Sequence, residues 1–93
     1  MIYHEIVNSC SHSAVARAAV DSIGGEFAKT FAAEAARRNL ARGEFAARLV
    51  SQFAERADEV ELHRVSSAAA KTDLPLLSGL RYILERETGR GAK

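Results

Sequence analysis

Three side chains able to bind a metal or act as a nucleophile lie within nine residues: His4, Cys10 and His12, with Glu5 beside the first. Imidazole and thiolate are both zinc ligands, but a closed structural site needs four donors at a characteristic spacing. A fourth donor is not evident here, so no metal is expected. Cys10 with His12 also has the residue types of a thiolate nucleophile and its base. Side chains two apart on a helix do not face each other, which places that pair poorly. A cysteine opening a helix would have a lowered thiol pKa and be redox-sensitive. The simpler expectation packs Cys10 as a small apolar residue, with both histidines at the surface or at a helix start.

Other catalytic patterns are missing. Gly24-Gly25 lacks the preceding strand and the further glycines of a phosphate-binding loop. Ser, His and Asp all occur, but no spacing gathers them into a nucleophilic triad. The carboxylates are spaced as solvated helix charges, with Glu34–Arg38 and Glu44–Arg48 at i, i+4. The expectation is a protein without catalytic residues and without a cofactor.

The arginines form a second group. Arg37, Arg38, Arg42 and Arg48 surround one turn, and with Glu34 and Glu44 they leave two net positive charges over 34–48. On DNA or RNA such guanidinium groups contact phosphates. The competing account is a helix C-terminus, where Arg37 and Arg38 complement the dipole, followed by a solvated face.

These groups must be carried by helices. Alanine, the strongest helix former, supplies 18 of the 93 residues, while proline occurs once and tryptophan never. The chain is 47% hydrophobic and 27% charged with a net charge of +1, which fits one small globular domain and argues against a broad nucleic-acid-coating surface. A single cysteine excludes an internal disulfide framework. No apolar run exceeds four residues, and Met1–Ser9 lacks a basic start and an apolar stretch, so no membrane segment is expected and the location expected is cytoplasmic.

Ile2–Val7 alternates weakly and reads as a short strand or an extended lead-in, over about 1–11. Val15, Ala19, Ile23, Phe27 and Phe31 recur every four residues, and Gly24-Gly25 interrupts them, giving helices over 12–23 and 26–39. Asn39 closes the second, since Asn tolerates the left-handed conformation. A third helix opens near Gly43 with Phe45, Leu49 and Phe53 on one face. Asp58 and Glu61 resemble a reciprocal capping box, opening either a new helix or a bent continuation that carries Leu62, Val65 and Ala69. Thr72-Asp73-Leu74-Pro75 starts a last helix over 75–88, followed by a frayed tail over 89–93. The expected fold is all-α, a bundle of four to five short amphipathic helices.

Phe31, Ala35, Asn39, Ala41, Glu44 and Phe45, followed by Leu49, Val50 and Phe53, resemble the two helices of ribbon-helix-helix repressors and antitoxins of the Arc and MetJ type. That resemblance spans about a quarter of the chain, residues 31–53, and implies an intertwined dimer whose paired strands enter the DNA major groove. The chain departs from it where the ribbon would lie: Arg17–Ile23 is Ala-rich and helical in pattern. Ala41 and Gly43 stand where the family has serines, so no DNA-reading residue carries over.

Two functional expectations follow. The first is a non-catalytic regulator or adaptor that binds a protein partner and self-associates, as a dimer, through its Phe and Leu stripes. The last helix would make the contact, through Leu76, Leu77, Leu80, Arg81, Tyr82, Ile83 and Leu84. The second is a dimeric DNA-binding regulator using Arg37, Arg38, Arg42 and Arg48.

Overall fold

A computed structural model describes residues 2–91, and every element in it is a helix. The order is α1 (Ile2–Cys10), α2 (Ser13–Ile23), α3 (Gly25–Arg37), α4 (Arg42–Arg56), α5 (Glu59–Ala70) and α6 (Pro75–Gly91). The all-α expectation holds, with six helices in place of four to five.

The additional helix is α1, where an extended segment was expected. Tyr3, Ile6 and Cys10 fall at i, i+3 and i+7, and all three are buried. A six-residue window fits both periods. Burial on the bundle decides between them, since a helix satisfies its own backbone groups and a lone strand has no partner. The last helix also runs to Gly91, past the expected end at 88. Of the expected tail, 92–93 lies outside the described residues.

The breaks fall where local chemistry places them. Gly24 and Gly25 take φ of +64° and +61°, the left-handed region open to glycine, and turn the chain from α2 into α3. Asn39 sits at φ +58° after α3, while the Leu40 N–H donates to the Ala35 carbonyl at 3.0 Å. α5 is a separate helix, capped by Asp58, whose Oδ1 accepts from the Glu61 N–H at 2.9 Å. The reciprocal half of the expected box is missing, because the Glu61 carboxylate is engaged across the bundle instead.

α2 and α4 make the closest crossing. A Cβ on Gly43 would lie 2.4 Å from the Ser13 carbonyl oxygen and 2.7 Å from Arg17 Cβ, so only glycine fits there. Arg42, next to it, makes a two-pronged pair with Asp21 of α2, at 2.7 and 3.0 Å. α6 is the central helix: it packs against α1, α2, α4 and α5 and contributes Leu80, Ile83 and Leu84 to the core. Phe53, Val50, Val20 and Val65 are equally buried around it.

Two buried carboxylates tie α6 to its neighbours. Glu61, 7% exposed, accepts from Arg86 Nε at 3.0 Å and from the Tyr82 hydroxyl at 3.1 Å. Glu87, also 7% exposed, accepts from Arg56 Nε at 2.9 Å, and the Arg56 guanidinium lies over the Phe53 ring. Burial pushes the Glu61 carboxyl upward. The hydrogen bonds from Arg86 and Tyr82, with the charges of Arg86 and Arg56, outweigh that and hold it below the ordinary carboxylate range.

Two outcomes follow. Gly43→Ala forces the α2–α4 crossing apart and lowers stability by roughly 1–3 kcal/mol, read as a lower urea midpoint. Gly89→Ala, where an added Cβ meets nothing within 4 Å, serves as the helical control and raises stability by about 0.5–1 kcal/mol. The Glu61 ion contributes fully at neutral pH and is lost as pH falls through its depressed folded value, because the unfolded carboxyl binds its proton first. Urea midpoints measured from about pH 7 to about pH 3 therefore fall more steeply for the native chain than for Glu61→Gln.

Candidate functional site

The residues first considered for chemistry do not converge. His4 and His12 are exposed, while Cys10 is fully buried. Burial pushes the Cys10 thiol up, opposite to the lowering that a helix-opening cysteine would show, since Cys10 ends α1 instead of opening α2. Among the described residues, no three His, Cys, Asp or Glu side chains gather as a metal would require.

The arginine group is occupied by neighbouring carboxylates. Arg37 and Arg38 both pair with Glu34, Arg42 pairs with Asp21, and Arg48 pairs with Glu44 at 3.4 Å. Arg38 also lies over the Phe45 ring, 4.9 Å from its centre. Asp21 and Glu34 are each held below the ordinary carboxylate range, chiefly by hydrogen bonds from Arg42 and Arg38 respectively. A broad hollow of about 610 Å³ lies beside this region, between the α1–α2 turn and α4, and its lining is mostly Ser, Ala and the Glu44–Arg48 pair.

The seven residues proposed on the last helix divide between core and surface. Leu80, Ile83 and Leu84 are 0% exposed, so they complete the bundle and are closed to a partner. Tyr82 is half-buried and bonded to Glu61, and Leu76 and Leu77 are half-buried. Arg81 is exposed. The broad Leu/Ile stripe faces inward because α6 is the central helix and has neighbours on most of its circumference.

One edge of α6 stays open, because no Cα of α3 comes within 8 Å of it. Two hollows occupy that gap and meet at Arg81. One, about 280 Å³, is lined by Ile23, Leu74, Leu77 and Ser78, with Thr72 and Asp73 at its end. The other, about 290 Å³, is lined by Phe27 and Phe31, with Thr30, Thr88, Glu26, Glu34 and Glu85 around them. Together they make a trough about 20 Å long, taking about 1.5 Å per residue from Pro75 to Thr88.

The floor of the trough is apolar and partly aromatic. Phe27 stacks on Phe31 at 5.7 Å between centres, and Phe31 stacks on buried Phe45 at 5.0 Å. The Arg81 guanidinium lies 5.3 Å over Phe27 and is held by Glu85 at 3.2 Å, so it covers the middle of the trough. At the open end Leu74 is 61% exposed, a large apolar side chain without cover.

Sequence reasoning assigned Ile23, Phe27 and Phe31 to one core stripe with Val15 and Ala19. The structure splits that stripe: Ala19 and Phe31 are buried, Val15 is 44% exposed, and Ile23 and Phe27 border the trough. Gly24-Gly25 carried the signal, because a stripe crossing a left-handed break cannot keep one face.

Comparison with protein-family models, with curated proteins and with solved structures gave no match.

The division of α6 has a direct test. Leu80→Ala lowers stability by about 2–5 kcal/mol, as expected where a cavity opens in the core. Leu74→Ser changes it by no more than about 0.5 kcal/mol. Urea unfolding of both variants reads the difference.

Proposed function

We propose that this chain is a non-catalytic interaction protein, a small regulator or adaptor that acts by holding a segment of another protein in the α3–α6 trough. The observation that carries the reading is the trough itself. Apolar side chains from three helices line one surface channel, from Leu74 and Leu77 through Ile23 to Phe27 and Phe31, whereas the exposed Val15 and Val60 stand outside it. An apolar channel open at the surface, with a polar rim and one arginine across its middle, has the form of a protein-docking surface.

Two features favour this reading over its rivals. The ionisable groups around the trough are spread along its length, Glu26 and Asp73 toward opposite ends and Arg81 bonded to Glu85 between them, instead of aimed at one point. The DNA-binding alternative lacks comparable support, since Arg37, Arg38, Arg42 and Arg48 each have a carboxylate partner. Self-association through the Phe and Leu stripes is likewise not retained, because Phe31, Phe45, Leu49, Phe53, Leu80 and Leu84 are buried within one chain.

The test is affinity capture from the native host with three baits: the native chain, Leu74→Glu/Leu77→Glu, and Val60→Glu on exposed surface of α5. Circular dichroism melts first establish that all three fold. The expected result is a set of proteins held by the native chain and by Val60→Glu and lost from the trough variant. Identical sets from all three baits would remove the trough as the working surface.

A further inference from the structure

We propose that the occupant of the trough is a basic amphipathic α-helix of a partner protein, about 13 residues long; this rests on the interaction reading above. Shape selects a helix. The trough runs along α6 for about 20 Å, which a partner helix of that length spans. Its apolar floor is stepped along its length, with Leu74 and Leu77 in one hollow and Phe27 and Phe31 in the next. Such a floor receives side chains at i, i+3 or i+4, and i+7 of an incoming helix.

Charge selects a basic helix. The lining ions are Glu26, Glu34, Asp73 and Glu85 against Arg81 alone. Glu34 and Glu85 already have arginine partners. Glu26 and Asp73 take part in none of the ion pairs among the described residues. Both are exposed, Glu26 beside the aromatic half of the trough and Asp73 at its Leu74 end. A lysine or arginine flanking the apolar stripe on each side of the incoming helix meets these two carboxylates. The same charges disfavour a second copy of this chain, because a two-fold dimer through the trough sets like rim against like.

The test is a titration of the ¹⁵N-labelled full chain with two synthetic helical peptides of one apolar pattern, one flanked by lysines and one by glutamates. The lysine peptide is expected to shift the amides of Ile23, Phe27, Leu77 and Arg81, and to bind at least about tenfold more tightly than the glutamate peptide at low salt. Its advantage shrinks as salt rises, as for an exposed charge contact. Glu26→Lys/Asp73→Lys alters only exposed side chains and reverses the order of the two peptides.

Equal binding of the two peptides, or shifts located away from the trough, overturns the proposal. So do trough shifts that depend on protein concentration without peptide, which would make a second copy the occupant. The two readings fail separately. Loss of host proteins from the Leu74→Glu/Leu77→Glu bait with no preference for the lysine peptide rejects this occupant and keeps the interaction role. Unchanged capture by that bait rejects the role itself.

Discussion

The crossing of α2 over α4 at Gly43 leaves no room for a side chain. Glycine there lets the Ser13 carbonyl approach to a distance that no side chain allows, and the Arg42–Asp21 pair fixes the same crossing from outside. Three of the other helices touch the α2–α4 pair, and α5 joins it through α1 and α6. α1 and α6 pack against both of its members, and α3 is the connection that turns from the end of α2 back to the start of α4. A chain rich in alanine has little apolar area per residue to bury, so close backbone approach supplies dispersion contacts that larger side chains supply elsewhere. Gly79 repeats the device on a smaller scale, leaving room for the tip of Ile6 as α1 crosses α6.

Most of the secondary structure was legible because its signals are local. Asn39, Gly24-Gly25, Asp58 and Pro75 each mark a boundary by their own conformational preference, and each lies at one. α1 was not legible, because six residues satisfy a strand period and a helix period equally and only the surface beneath them discriminates. Glu61 shows a different limit. Its position three after Asp58 fits a cap, yet Arg86 and Tyr82, more than twenty residues away, claim its carboxylate. Partners that distant leave no local mark.

The candidate site was less legible than the fold, and for one reason. The last helix carries a broad Leu/Ile face, and apolar faces serve cores and partners alike. Leu80, Ile83 and Leu84 belong to the core because α6 is central, a fact of packing order that periodicity does not contain. The trough arises from the complementary circumstance: the backbone of α3 stays clear of α6, and Arg81 reaches across to Phe27 through its side chain. Its position follows from the geometry of two turns, at Gly24-Gly25 and at Asn39, and not from the composition of α3 itself.

Those two turns give α3 a position of its own. The helix is held by α2 and α4 along one side and joined at each end through a residue with positive φ. The stacked rings of Phe27, Phe31 and Phe45 run from the channel into the core, so the channel wall and the interior share one aromatic column. One wall of the channel is thus set by the left-handed turns at its two ends, with no backbone contact to α6.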